Sequence, residues 1–245
     1  MKVITLNTWQ ERGPWERRWE IILQGLEKYR PEVVCFQEVF NEVWAVSLPN
    51  KTGLPYFYYP ESPSGLLILS KHPIIQTDYL RLPTQSPTET YFRYLIYAAI
   101  LIGDNPVRIF NTHLSWLPEE GIFRERQASE MLDFINSKGL SKESIMMGDF
   151  NAPPTANEIM MIKAQGWKDS YTIKHPDIPG CTWANDNPFA AGSSHVLPDR
   201  RIDYIFYQSQ EISLKNLREC TMIWDKPESD ALYASDHFGL LAEFN

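Results

Sequence analysis

Acidic, amide and imidazole side chains end or interrupt the apolar runs of this chain. They are Asn7, Glu38, Asn111, His113, Asp149 and Asn151, then Asp203 in RRIDYIFY and the pair Asp236-His237 in ASDHFGL. Oxygen ligands such as Glu38 and Asp236 suit a hard cation, Mg²⁺ or Mn²⁺. No HExxH and no Cys/His cluster occurs, which disfavours zinc. Histidines beside carboxylates carry protons or hold phosphate oxygens. A metal ion would also offset the repulsion between an acidic protein and an anionic phosphate. Each residue has a plain structural reading as well. Asn7 can cap a turn, Glu38 can pair with a lysine, and Asp203 can pair with the neighbouring Arg200 or Arg201. Five or six such coincidences at strand ends are less economical than one shared site.

The stretch SIMMGDFNAPP poses the choice sharply. Ile145 to Met147 read as a buried strand that turns polar at Gly148. On an extended chain Asp149 and Asn151 would face the same way. A turn explains the same residues, because Asp and Asn both favour turns.

The elements that would position these groups alternate between strand and helix. Strands are expected at Lys2 to Trp9, in EVVCFQEVF and in SGLLILSKHPI, then at Tyr94 to Ile102 and Val107 to His113. Further strands are expected at Ile202 to Tyr207, Ile212 to Leu217, Cys220 to Trp224 and Phe238 to Phe244. Helices are expected after Pro14, at Asn41 to Leu48, at Pro118 to Ser137 and at Thr155 to Gln165. A loop rich in Pro, Gly, Asn and Ser runs from Lys174 to Pro198. VITLNTWQ leads through a helix to VVCFQEVF, and VRIFNTHLSW leads through a helix to IMMGDFNA. Two βαβ-like halves of this kind gather polar groups at the carboxyl ends of strands, where α/β sheets bind ligands.

The 245 residues fit one domain, 1–245, and 43% hydrophobic residues can fill a substantial core. The net charge of −8 argues against a protein that holds duplex DNA on a basic face. Three widely spaced cysteines form no CxxC pair, which points to a reducing, cytoplasmic setting. No run of about 18 apolar residues is present to cross a membrane. A monomer is expected.

TLNTW, QEVF, NTHL, GDFN, RIDYIF and SDHFGL occur in the order found in the endonuclease/exonuclease/phosphatase superfamily. The chain resembles that family from Leu6 to Leu240. The resemblance implies a four-layer α/β/β/α sandwich, deoxyribonuclease I-like, and hydrolysis of phosphoesters with a divalent metal. It implies that Asn7 and Glu38 hold the metal with Asp236 close by. It implies that Asp149 activates water and that Asn151 holds a phosphate oxygen. Asp203 would orient His237, and His113 would stabilise the phosphate or assist the leaving group. The chain departs from the nuclease branch in one respect. The acid that supports the NTHL histidine there is sought here in ESPSGLLI, where only Glu61 or Ser64 is available.

SKHPI, RIDYIFY and the helix GIFRERQASEML resemble neutral sphingomyelinases and bacterial relatives. Arg126 in that helix is a candidate phosphate ligand or part of a solvated face. In the long loop Trp183 and His195 are candidates for substrate contact. YFRYLIY, Tyr91 to Tyr97, reads as core packing. With no basic run, a small or lipid-type phosphoester is favoured over nucleic acid as substrate. A metal-dependent nuclease is the alternative, and a catalytically silent binding module is a second.

Overall fold

A computed structural model describes residues 1–139, 143–192, 197–209, 217–228 and 231–245. The chain runs β1 (Lys2–Asn7), α1 (Trp15–Tyr29), β2 (Val33–Gln37), α2 (Glu42–Thr52), β3 (Tyr56–Tyr58), β4 (Leu67–Ser70) and β5 (Ile74–Arg81). It continues with β6 (Tyr94–Ile102), β7 (Asn105–His113), α3 (Gly121–Ser137), β8 (Glu143–Asp149), α4 (Asn157–Ala164), β9 (Lys168–Asp169) and α5 (Ser170–Lys174). It closes with α6 (Pro188–Ala191), β10 (Asp203–Ser209), β11 (Leu217–Ile223) and β12 (Gly239–Phe244). Of the expected strand at Ile212 to Leu217, all but Leu217 lies outside the described residues.

Two six-stranded sheets form, in the orders β11-β12-β1-β2-β4-β3 and β5-β6-β7-β8-β10-β9. The orders are equivalent. In each, one parallel pair, β1/β2 or β7/β8, lies inside antiparallel neighbours and is linked by a helix. The internal similarity in the sequence is therefore a repeat of topology. The core has three layers of side chains. Val3, Val33, Ile68, Ile96, Ile109, Met147 and Ile205 pack between the sheets. Ile4, Leu6, Phe36 and Leu67 face α1 and α2. Phe110, Met146, Phe150 and Phe206 face α3 and α4. Alternate residues of one strand thus serve two apolar layers, which is why these strands read as unbroken apolar runs. The result is the α/β/β/α sandwich that the motifs imply. β5 escapes sequence reading because it is an edge strand whose residues are largely exposed. No described helix is long and apolar enough to cross a membrane.

Register brings the polar residues to one end. His113 on β7 lies beside Asp149 on β8, and Asp203 on β10 lies opposite Asp149. Asn7 ends β1 beside Gln37, one residue before Glu38. Leu240 on β12 pairs with Thr5, so Asp236 and His237 enter at the same end. Asn111 has another task. Its Nδ2 donates to the carbonyls of Phe36 (2.8 Å) and Leu67 (3.1 Å), and its Oδ1 accepts from Gln37 Nε2 (2.7 Å). It bolts one sheet to the other.

Gly148 sets the height of Asp149 against β7. Its φ is +145°, and a Cβ there would lie 2.1 Å from the carbonyl oxygen of Thr112. Backbone cannot yield as a flexible side chain can. Gly148→Ala is expected to destabilise the protein by about 3 kcal/mol. Thermal unfolding would then shift down by roughly 6–12 °C for a chain of this size. A melting temperature unchanged within the error of the measurement would refute this account of the glycine.

Candidate active site

The ends of β1, β2, β7 and β8, with the segments entering β10 and β12, enclose a cleft of about 430 Å³. Asp149 stands at its floor. Asn7 Nδ2 donates to Asp149 Oδ2 at 3.0 Å, crossing from one sheet to the other. The backbone N–H of Asn151 donates to Asp149 Oδ1 at 2.9 Å. His113 Nε2 and His237 Nε2 lie 3.4 and 3.8 Å from Asp149 Oδ2. β8 ends at Asp149, and Asn151 has φ +51°. The two side chains therefore do not share an extended chain. Asp149 closes the turn after its own strand, and both residues still line the cleft. The turn and the site are one structure.

Asp203 is fully buried behind His237, and its Oδ2 is 2.9 Å from His237 Nδ1. The arginines beside it go elsewhere. Arg201 donates to both oxygens of Asp169 (2.8 and 2.9 Å), and its guanidinium stacks near Tyr171 and Tyr204. Arg200 turns toward the cleft.

Burial separates the charges of these groups. For His237 burial opposes the imidazolium, but Asp203, Asp149 and Asp236 outweigh it and hold the pKa well above the usual value. His113 is held well below its usual value by burial and by the charges of Arg93 and His237. The two imidazoles are thus pushed in opposite directions, His237 toward the protonated form and His113 toward the neutral one. Burial and the charge of Asp203 push Asp149 up to about 7, against the pull of His237 and Asn7. Burial pushes Asp236 up to about 6, with Glu38 adding to the rise against the opposing charge of His237.

Of the residues singled out in the sequence, Asn7, Glu38, His113, Asp149, Asn151, Trp183, Asp236 and His237 line the cleft. Arg126 is exposed on α3 and does not. Its neighbour Arg124 is the buried one, tied to Glu158 at 2.6 Å. His195 lies outside the described residues. Neither Glu61 nor Ser64 lines the cleft beside His113.

Arginines supply what sequence reading missed. Arg93 stands by His113 and is gripped by Glu89, with Nε–Oε2 at 3.0 Å and Nη2–Oε1 at 2.6 Å. Glu89 also accepts from Ser115 Oγ and the Trp116 N–H. YFRYLIY packs on the core through Phe92 and from Tyr94 onward, while Tyr91 is exposed and Arg93 faces the cleft. Arg18, a fully buried helix residue, donates to the carbonyls of Thr8, Trp9, Gln10, Arg12 and Ala234. It ties the loop after β1 to the segment that carries Asp236. Four of the seven described non-glycine residues with positive φ, Trp9, Gln10, Glu38 and Asn151, lie on this cleft. Backbone strain of this kind collects at functional sites.

Known proteins resemble this chain in sequence and fold. A model of the Endonuclease/Exonuclease/phosphatase family matches residues 4–237. The chain is 24% identical over 288 residues to a Caenorhabditis elegans protein named "Putative neutral sphingomyelinase", covering 100% of this chain and 66% of that protein. It is 30% identical over 192 residues to the "Probable RNA exonuclease NGL3" of Saccharomyces cerevisiae, covering 63% of this chain and 38% of that one. This chain thus spans about two thirds of the worm protein and well under half of the yeast one. Its fold matches D. rerio TDP2 complexed with a single-strand DNA product, with a TM-score of 0.82, 19% identity and coverage of 100% and 98%. The six motifs in order, the paired sheets and a family match over almost the whole length agree, and the chain belongs to the Endonuclease/Exonuclease/phosphatase family.

Proposed function

We propose that the protein is a divalent-metal-dependent hydrolase of a small or lipid-type phosphoester, with Asp149 as the base that takes a proton from the attacking water. The observation that carries this reading is the setting of Asp149. It is buried, held by Asn7 and Asn151, and flanked by the Nε2 atoms of His113 and His237 at 3.4 and 3.8 Å. A carboxylate with a pKa pushed up to about 7 suits proton abstraction near neutral pH. His237, fixed and charged by Asp203, offers its Nε2–H to a phosphoryl oxygen. His113, uncharged, is suited to a hydrogen bond with the phosphate or the leaving group.

The donor set near Glu38 and Asp236 fits a hard cation. Neither carboxylate forms an ion pair within 4 Å among the described residues, although the charge of His237 acts on Asp236, and Asp236 is raised partly by Glu38. Arg18 interacts electrostatically with both, but its donors all go to backbone carbonyls. The Asn7 amide oxygen accepts from the Trp9 N–H at 3.0 Å and keeps a second lone pair. Mg²⁺ or Mn²⁺ held by Glu38, Asp236 and Asn7 would supply Lewis-acid stabilisation of charge on the phosphoryl group. Asp149, Asp203 and His237 also offer ligand atoms within 4.8 Å of one another. We assign them to proton handling, because Asp203 Oδ2 lies 2.9 Å from His237 Nδ1 and Asp149 is held by Asn7 and the Asn151 N–H.

A nuclease is the second reading, favoured by the gathering of Arg12, Arg93 and Arg200 at one cleft although no basic run exists in the sequence. Salt separates the two. A nucleic acid held through several phosphates loses affinity steeply, with a log–log slope of about −0.7 to −0.9 per phosphate contacted. We expect hydrolysis of soluble phosphodiesters or phosphomonoesters with a shallow dependence of kcat/KM on salt. The comparison is with single- and double-stranded DNA and RNA under the same conditions. Efficient nucleic-acid cleavage with a steep slope would replace our preferred substrate class by the nuclease reading.

A further inference from the structure

Two consecutive arginines enter β10, and among the described residues only Arg201 of the two has an ion-pair partner. Arg201 is locked on Asp169. The Arg200 guanidinium makes no hydrogen bond or ion pair with any described residue, although its Nε is shut off from solvent. Buried donors in folded proteins nearly always have an acceptor. Arg200 is nonetheless held in place. Its backbone N–H donates to the Trp183 carbonyl at 2.9 Å, and the Trp183 N–H donates to its carbonyl at 3.0 Å. Its guanidinium lies 5.1 Å from the Trp183 ring centre. Such stacking fixes an arginine without consuming its hydrogen-bond donors. The charge of Asp149 acts on Arg200, which shares the cleft with Asp149, Asn151 and His237. The other two cleft arginines differ from it. Arg93 is ion-paired with Glu89, and Arg12 is exposed on the rim.

We propose that Arg200 is the side chain that takes a phosphoryl oxygen of the substrate in this cleft, with Trp183 as the surface that positions it. The proposal rests on the reading of the cleft as a phosphoester site. A guanidinium fork matches the two oxygens of a phosphoryl group, and its charge is stronger where water is excluded. Trp183 then acts through Arg200 and not as a substrate contact of its own.

Inorganic phosphate is the probe, titrated calorimetrically in the presence of Mg²⁺ or Mn²⁺ into the unmodified protein, Arg200→Gln and Arg200→Lys. Arg200→Gln is expected to weaken phosphate binding by about tenfold or more, the scale of one lost charge-assisted pair. Arg200→Lys should fall between, because an ammonium keeps the charge and loses the fork. With bis(4-nitrophenyl) phosphate the loss should appear mainly in KM, at an unchanged melting temperature. A structural role alone would move the melting temperature and leave this split unmoved. Phosphate affinity kept within about twofold in Arg200→Gln overturns the proposal. So does a loss confined to vesicle-borne phosphodiesters. If Arg200→Gln fails to fold, unchanged affinity in Arg200→Lys overturns it equally. Failure of the unmodified protein to bind phosphate also overturns it, while hydrolysis of the soluble esters judges the proposed function separately.

Discussion

Asp203→Asn and His237→Ala are each expected to lower kcat by about 10³- to 10⁴-fold, and the double variant to lower it little further. Asp203 Oδ2 lies 2.9 Å from His237 Nδ1, and Asp203 Oδ1 has no partner among the described residues. Among the described residues, His237 is the hydrogen-bond partner of the Asp203 carboxylate. Burial would strip the proton from His237 if Asp203, Asp149 and Asp236 did not outweigh it. An asparagine at 203 keeps the shape and removes the nearest of those charges. The imidazole then loses both its fixed tautomer and its reason to stay protonated. Groups that act as one unit lose their effect once, so the second substitution adds little. Steady-state kinetics on the four members of the cycle provide the test. Losses that multiply would mean that Asp203 and His237 act separately.

The second large effect concerns the carboxylate pair. Glu38→Ala is expected to lower kcat/KM by at least about a hundredfold and to weaken binding of Mg²⁺ or Mn²⁺. The fold should survive, because Glu38 is only half-buried and alanine tolerates its φ of +63° about as well as glutamate does. Removing the negative charge that helps to raise Asp236 should also bring that pKa down from about 6. Calorimetric titration of the metal, with thermal unfolding as the control for folding, reads this without reliance on activity. Full turnover by the unmodified protein in excess EDTA would refute metal dependence outright.

Much of this arrangement is legible in the sequence. A buried strand is apolar throughout, so a polar residue at its end is visible against its neighbours. That contrast marks Asn7, Glu38, His113, Asp149 and the pair Asp236-His237; βαβ order makes β1 and β2, and β7 and β8, parallel with their ends together, while Asp236 and His237 lead into the antiparallel β12. The edge strand β5 lacks the contrast, because its residues are largely exposed and mostly polar. Partners distant in sequence leave no local trace either. Arg18 reaches Ala234 across 216 positions, and the Asn7–Asp149 bond spans 142. Asn111 repeats the Asn-Thr pattern of Asn7, yet it bolts the sheets together, because which face of a strand meets the other sheet is a property of packing. Arg126 and Arg124 lie two residues apart, and only the phase of the helix against its neighbours exposes the first and buries the second. Charge obeys the same rule. The sequence contains no basic run, and Arg12, Arg93 and Arg200 converge only when the segments after β1, before β6 and before β10 meet at one cleft. Types and spacing determine which residues can do chemistry and on which elements they stand. Side-chain pairing across those elements decides which of them are charged, which are held, and which remain free to meet a substrate.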